Sequence, residues 1–253
     1  MSHAITDSAT MLRRNLRHAL RYPGMTVSNV AMPIVMLLLF VYVFGGAIGG
    51  GLRTGGNYID YITPGIVLMA ATSGAMAVAV GVCVDMTEGI INRFRTMAIT
   101  RASVLTGHVV GGVIQTMISI VLVVGVALLA GFRPAAGLAG WLGVFGLLAL
   151  LSFGLTWLAA AFGLISKTPE GASNAALPVQ FLPFFGSAIV TPESMPAGLR
   201  WFAEHQPFTP VIETLRALLN GTPTGTTGLV ALAWCVALAL AGYLWARTKF
   251  DRV

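Results

Sequence analysis

Long apolar stretches, separated by short polar segments, dominate this chain. Because the stretches are continuous and do not alternate with polar residues, they predict helices and not the strands of a transmembrane barrel. A helix needs about 20 apolar residues to cross the hydrocarbon core of a bilayer. All but one of the stretches approach or exceed that length. The predicted membrane-spanning helices are 30–48, 62–84, 109–130, 141–165, 175–190 and 229–246.

The segment between the last two predicted spans, residues 191–221, is too apolar for an ordinary loop in water. Prolines divide it into two short pieces that are too small to span a membrane. We therefore predict a re-entrant helical hairpin that dips into the outer leaflet, which also accounts for the short fifth span. Within it, Glu213 and Arg216 are three residues apart and can pair on a helix. The alternative is a solvated ion pair of little energetic value.

Residues 7–22, the interface segment, have the pattern of a helix lying on a membrane surface. Leucines occupy one side of the helical wheel, and arginines occupy a narrow arc on the other side. Such a helix suits the cytoplasmic headgroup layer, although a solvated helix whose arginines only set the topology is the alternative. The arginines of this arc are Arg13, Arg14, Arg17 and Arg21.

Residues 88–98, the coupling segment, form a second amphipathic piece. Ile90, Ile91 and Phe94 recur at helical spacing, and charged or polar residues fill the other positions. A surface helix with an apolar stripe offers a partner protein a surface on which to dock. Another interfacial helix is the alternative.

The basic residues are unevenly distributed between the two sides of the predicted membrane. When the segments between spans are assigned alternately to two sides, 11 of the 15 basic residues share a side with both termini. The remaining basic residues are matched by acidic ones on the opposite side. Lys and Arg are enriched in cytoplasmic loops, so both termini are predicted to be cytoplasmic.

Composition supports a membrane protein and excludes several classes of function. Hydrophobic residues make up 56% of the chain and charged residues 9%, against roughly 25% charged residues in soluble domains. The basic pI of about 9.9 comes from arginines beside the spans, so nucleic-acid binding is not expected. Cys83 and Cys235 are predicted at different depths of the membrane and cannot bridge. The histidines and cysteines show no metal-binding spacing.

Motifs for enzymatic chemistry are absent from the sequence. There is no G-x-x-x-x-G-K-[ST] phosphate loop, no H-E-x-x-H and no G-x-S-x-G, so we predict neither catalytic residues nor a bound cofactor or metal. No predicted span carries a charged residue at mid-depth, which argues against an ion-coupled carrier. Mildly polar and aromatic residues could line a pathway for amphipathic cargo, with helix packing as the alternative. They are Thr72, Ser73, Gln180, Phe181, Phe184 and Phe185.

Several segments resemble the membrane subunits of type 2 ABC exporters, especially the daunorubicin-resistance-like permeases of actinobacteria. The matching segments are 41–48, 58–65, 88–95, 192–196, 207–210 and 215–221. Those between 192 and 221 are the most specific. Gln206-Pro207-Phe208 departs from the Asn-Pro-Val that relatives commonly carry at this position.

The resemblance implies an all-α fold of six transmembrane helices in the bacterial plasma membrane and a division of labour between subunits. Two copies of a separate ATPase would bind ATP and Mg, and a second permease chain, identical or paralogous, would complete the pathway. The coupling residues would be Glu88, Gly89, Ile90, Ile91, Arg93, Phe94 and Arg95. The residues of the outer gate would be Pro192, Glu193, Met195, Pro196, Pro207, Glu213 and Arg216.

The function expected from this resemblance is ATP-driven export of a hydrophobic or amphipathic drug. Three alternatives remain open at this point: export of a cell-envelope lipid or glycolipid, an ATP-independent channel, and a structural membrane subunit without a pathway. The mild lining of the predicted spans suits a drug and a lipid equally well.

Overall fold

The computed structural model describes residues 23–46, 57–87 and 101–250, with side chains for 30–46, 57–87 and 105–250. These residues form helices joined by short connections, and no strand occurs among them. The prediction of an all-α fold is confirmed for this part of the chain. The interface segment and the coupling segment lie outside the described residues.

The helices follow one another along the chain with few long connections. In order they are α1 (Pro23–Leu38), continued by a π-helical turn (Leu39–Phe44), α2 (Tyr58–Thr87), α3 (Arg101–Leu129), α4 (Leu138–Ile165), α5 (Pro169–Phe181), continued by a 3-10 turn (Leu182–Phe185), a second 3-10 turn (Pro192–Ser194), α6 (Ala197–His205), α7 (Phe208–Leu219) and α8 (Gly225–Phe250).

Four helices of the described chain are long and apolar enough to cross a membrane: α2, α3 from Leu105 onward, α4 and α8. They coincide with four of the predicted spans. The first predicted span corresponds to a shorter apolar helix, Val30–Phe44. The 30 residues of α2 extend over about 45 Å, so its ends project beyond the hydrocarbon core. Apolar composition alone marks only the centre of such a helix.

The fifth predicted span, 175–190, corresponds to a helix with different bounds. α5 begins at Pro169 because the Thr168 hydroxyl accepts a hydrogen bond from the Gly171 N–H at 3.1 Å and caps the first turn. The α-helix ends at Phe181, and Pro183 lies in the 3-10 turn that follows. Residues 186–191 have no regular helix.

α2 and α4 form the centre of the bundle. α4 packs most extensively on α8 and α2, and α2 also contacts α3 and α5. Glycines bring two of these helices close together: a Cβ on Gly154 would lie 2.9 Å from the backbone nitrogen of Ala239, and one on Gly242 would lie 2.6 Å from that of Leu158. Small residues at such crossings let helix backbones approach within a membrane.

Polar contacts identify two ends of the bundle. At one end, the Arg133 N–H donates to Asp60 at 3.3 Å, and the segment 191–221 lies there. We call this the hairpin end. At the other end, the Cys83 thiol donates to the Ser166 carbonyl at 3.5 Å, near Asp85. We call this the Asp85 end.

Candidate functional site

The second helix of the 191–221 segment, α7, is embedded in the bundle. Its buried side chains recur at helical spacing and pack on α2, α4 and α8. Leu218 lies over α4, where a Cβ on Gly143 would be 3.2 Å from its side chain. The buried apolar face consists of Phe208, Val211, Ile212, Leu215 and Leu219.

The first helix of the segment, α6, lies at the surface. Among its residues only Ala203 is buried, while Trp201 is 64% exposed. Arg200 and Glu204 form an exposed ion pair of 2.7 Å one turn apart. Leu199 and Phe202 are also exposed, so apolar side chains of α6 remain uncovered by the rest of the described chain.

Arg216 is the polar centre of the hairpin end. Its Nη2 donates to the backbone carbonyls of Tyr61 at 3.2 Å and Ser187 at 3.0 Å. Its guanidinium also lies 3.9 Å from the centre of the Tyr61 ring, a cation–π distance. The Tyr61 hydroxyl donates to the same Ser187 carbonyl at 3.2 Å. Arg216 therefore joins α7 to α2 and to the irregular segment 186–191 that follows α5 and its 3-10 turn.

The predicted pairing of Glu213 with Arg216 is not found. In the part of the chain with side chains, the ion pairs are His108–Asp85 and Arg200–Glu204. Glu213 is exposed, and the Arg216 guanidinium is turned toward carbonyl acceptors and a ring. Burial, the largest effect, lowers the pKa of Arg216.

The other predicted gate residues differ in burial. Pro192 is buried under the loop, whereas Glu193 and Pro196 are exposed. Met195 is half-buried, and Pro207 precedes the first residue of α7. A Cβ on Gly65 of α2 would lie 2.7 Å from the Ala188 carbonyl, so the chain after α5 runs directly against α2.

The residues predicted to line a pathway do not share one surface within the chain. The Thr72 hydroxyl donates to the Met69 carbonyl of its own helix at 2.9 Å and is buried. It borders a narrow, largely apolar gap between α2, α4 and α5 that is partly open to the outside. Phe181, at the end of α5, and Phe185, in the 3-10 turn that follows, are instead 51% and 47% exposed.

Ser73 and Gln180 connect the inside of the bundle to α5. The Gln180 amide donates to the Ser73 hydroxyl at 3.4 Å, and its own carbonyl oxygen is buried without a hydrogen-bond partner. Phe184 is half-buried and contacts Phe181, with ring centres 5.9 Å apart. The predicted lining residues thus fall into three groups. Thr72 lies inside the bundle, Ser73 and Gln180 form a polar contact between α2 and α5, and Phe181 and Phe185 are exposed on the outside.

A part-buried His–Asp pair lies at the Asp85 end and is not expected from the sequence pattern. His108 Nε2 and Asp85 Oδ2 are 2.8 Å apart, with side chains 12% and 10% exposed. Each residue lies one position outside a predicted span, at 84 and 109, so neither was recognised as part of the membrane bundle. The longer helices of the structure bring both inside it. The signal that could have identified them is an ionisable residue directly at the end of each of two consecutive predicted spans.

The predicted coupling residues, Glu88 to Arg95, and the arginines of the interface segment, Arg13 to Arg21, lie outside the described residues. Among the residues that are described, no group of three or more His, Cys, Asp or Glu side chains could hold a metal ion. Cys83 and Cys235 are both buried as free thiols.

Comparison with known proteins gives a family match over most of the chain. The ABC-2 type transporter family matches residues 7–220. A daunorubicin resistance ABC transporter permease protein of Streptomyces coeruleorubidus is 28% identical over 238 residues, which are 94% of this chain and 82% of the relative. A "probable doxorubicin resistance ABC transporter permease protein" of Mycobacterium tuberculosis is 24% identical over 214 residues, 85% of this chain and 77% of the relative.

Proposed function

Because this chain belongs to the ABC-2 type transporter family, we propose that it is the membrane subunit of an exporter that moves hydrophobic or amphipathic drugs outward with energy from a separate ATPase. The observation that carries the proposal is the match to a drug-resistance permease across 94% of the chain. Members of this family are transmembrane subunits without catalysis of their own, and this chain is a multi-pass membrane protein.

We propose that α1 and α5 complete six crossings. α5 and the residues after it run along α2 from Cys83, which contacts Ser166, to Gly65, which contacts Ala188. Those two positions are about 27 Å apart along α2, close to the thickness of a hydrocarbon core of about 30 Å. Gly45, directly after the π-helical turn that continues α1, lies beside Tyr58 at the hairpin end. Both termini and the Asp85 end would then face the cytoplasm.

The hairpin segment fits an outer gate. α7 is packed into the bundle and tied by Arg216 to α2, so it moves only if those contacts break. The uncovered apolar side chains of α6 suit the outer leaflet, where Trp is favoured near the headgroups. Opening would release Arg216 from the Tyr61 and Ser187 carbonyls and part the loop from α2.

The pathway would form between this chain and a second permease chain. Asn174, Pro178, Phe181 and Phe185 are exposed along one face of α5, and apolar and aromatic surfaces of this kind suit amphipathic cargo. Whether the second chain is identical or paralogous follows from the subunits that copurify.

Energy would enter through the coupling segment. Two ATPase copies, which would bind ATP and Mg, would dock on the stripe of Ile90, Ile91 and Phe94, with Glu88, Arg93 and Arg95 beside it. The arginines of the interface segment would hold residues 7–22 on the cytoplasmic leaflet of the bacterial plasma membrane.

Reconstitution tests this function. The permease is placed in proteoliposomes with its copurifying ATPase, and the movement of daunorubicin and of a fluorescent phospholipid is followed with ATP or a non-hydrolysable analogue. We expect drug movement that requires ATP hydrolysis and both proteins. Drug movement by the permease alone would make it a channel, and movement of phospholipid without drug would assign a lipid cargo.

A further inference from the structure

The part-buried pair of His108 and Asp85 joins the ends of two neighbouring helices. Asp85 is in the last turn of α2, His108 is in the second turn of α3, and their side-chain atoms are 2.8 Å apart. These helices are the ones that flank residues 88–100, which include the coupling segment. Among the residues described with side chains, the pair thus links α2 and α3 close to that segment.

Helix packing does not need this pair. α2 and α3 already approach closely through glycines along their length, with Gly74 opposite Thr116 and Gly112 opposite Val78. Even at the pair itself, a Cβ on Gly81 would lie 3.8 Å from the His108 ring. Partial burial of two ionisable groups carries a desolvation penalty that apolar residues would avoid. The directed hydrogen bond between them fixes the geometry of the two helix ends, which apolar contact alone would not do.

The same end of α2 is tied on its other side. The Cys83 thiol donates to the Ser166 carbonyl in the connection between α4 and α5. The last turns of α2 thus lie between a polar link to α3 and a second link to the start of α5. A displacement of the end of α2 would therefore act directly on α3 and on the start of α5.

We infer that His108 and Asp85 are positioning residues that make α2 and α3 move as one body when the ATPase acts on the coupling segment. This inference rests on the proposed function. The pair would set how much cargo moves for each ATP hydrolysed. Without it, the coupling segment could tilt α3 against α2, and hydrolysis would proceed with little movement of the gate.

The test uses the reconstituted permease–ATPase complex and compares His108→Leu, His108→Gln and the exchange Asp85→His with His108→Asp. The control is His205→Leu, which alters an exposed histidine at the hairpin end. We measure daunorubicin moved per ATP hydrolysed, together with the amount of ATPase that copurifies. A hydrogen bond to a charged group corresponds to about a tenfold change in an equilibrium.

We expect His108→Leu to lower the transport-to-hydrolysis ratio about tenfold with unchanged copurification. His108→Gln, which keeps a donor, and the exchange should each restore part of the ratio, and His205→Leu should leave it unchanged. An unchanged ratio in His108→Leu overturns this inference alone, as does a loss of transport only in proportion to the amount of folded permease. Absence of ATP-dependent transport in the unaltered complex overturns the proposed function and this inference with it.

Discussion

Arg216 shows how a single residue acquires its environment from distant parts of the chain. Its carbonyl partners, Tyr61 and Ser187, are 155 and 29 residues away in sequence. The helical spacing that suggested Glu213 as its partner describes only the surface of α7. Because a guanidinium carries several donors in a rigid plane, it can serve two carbonyls and a ring together. We therefore expect substitution of Arg216, and not of Glu213, to have the larger effect on stability and transport.

Replacing Arg216 tests its role as the link between α7 and α2. Arg216→Ala removes two charge-assisted hydrogen bonds and a cation–π contact, so we expect a loss of about 2–4 kcal/mol in stability and strongly reduced transport. Arg216→Lys should be intermediate, since an ammonium cannot reproduce the planar geometry. Thermal unfolding in detergent and drug transport are the measurements.

The matched control for Arg216 is Arg200→Ala. Arg200 is exposed on the neighbouring helix α6 and pairs only with Glu204, so little change is expected. Equal effects of the two substitutions would show that Arg216 is also a solvated surface residue and does not link α7 to α2.

At the scale of elements, close contact between α4 and α8 depends on glycine. Gly242→Leu places a side chain where even a Cβ would be 2.6 Å from the Leu158 nitrogen. Because both partners are backbones of long helices, neither can yield cheaply, and we expect a loss of about 3 kcal/mol or more. The yield of monodisperse protein and its melting temperature report this change.

Gly146→Leu provides the comparison within α4. A Cβ at Gly146 meets no atom within 4 Å, so leucine there should be tolerated and should add apolar surface toward lipid. If both substitutions lowered stability alike, helix propensity or insertion would account for the effect, and the close α4–α8 crossing would not.

The coupling segment gives a second prediction about an element, made from its sequence pattern. Phe94→Ala should leave membrane insertion intact but weaken ATPase docking by about 2 kcal/mol, as is typical for a buried interface aromatic. Pull-down of the ATPase and ATP-dependent transport are the measurements. Phe202→Ala, on the exposed helix α6, is the control. Normal pull-down and transport in Phe94→Ala would place the docking site elsewhere.

At the scale of the whole molecule, the topology can be mapped with single cysteines. Cys83 and Cys235 are fully buried and are replaced by alanine to provide a background. Cysteines at Asn57 and Thr222, exposed at the hairpin end, should react with an impermeant thiol reagent added outside cells. Cysteines at Lys167 and Thr248, exposed at the other end, should react only after permeabilisation. External labelling of Lys167 or Thr248 positions would end the six-span arrangement.

Much of the architecture followed from local properties of the sequence. Continuous apolar stretches located the four long helices, since burial in lipid requires composition and length and not a particular partner. The helical character of residues 197–205 and 208–219 followed from the positions of the prolines and the apolar content between them. The predicted bounds of the helices were less accurate, because the helices continue past their apolar centres. α5 begins after its cap at Thr168, and α2 continues beyond Asp85.

The sequence by itself determined that this chain is an all-α, multi-pass membrane protein of the ABC-2 type transporter family, because hydropathy, charge asymmetry and short motifs are local features. Only the tertiary structure decided which polar groups meet. It placed Arg216 in contact with Tyr61 and Ser187, and His108 in contact with Asp85. It also buried Thr72 inside the bundle and left Phe181 on the surface. These contacts arise where helices distant in sequence cross, and the direction of a side chain at a crossing is set by the neighbouring helix.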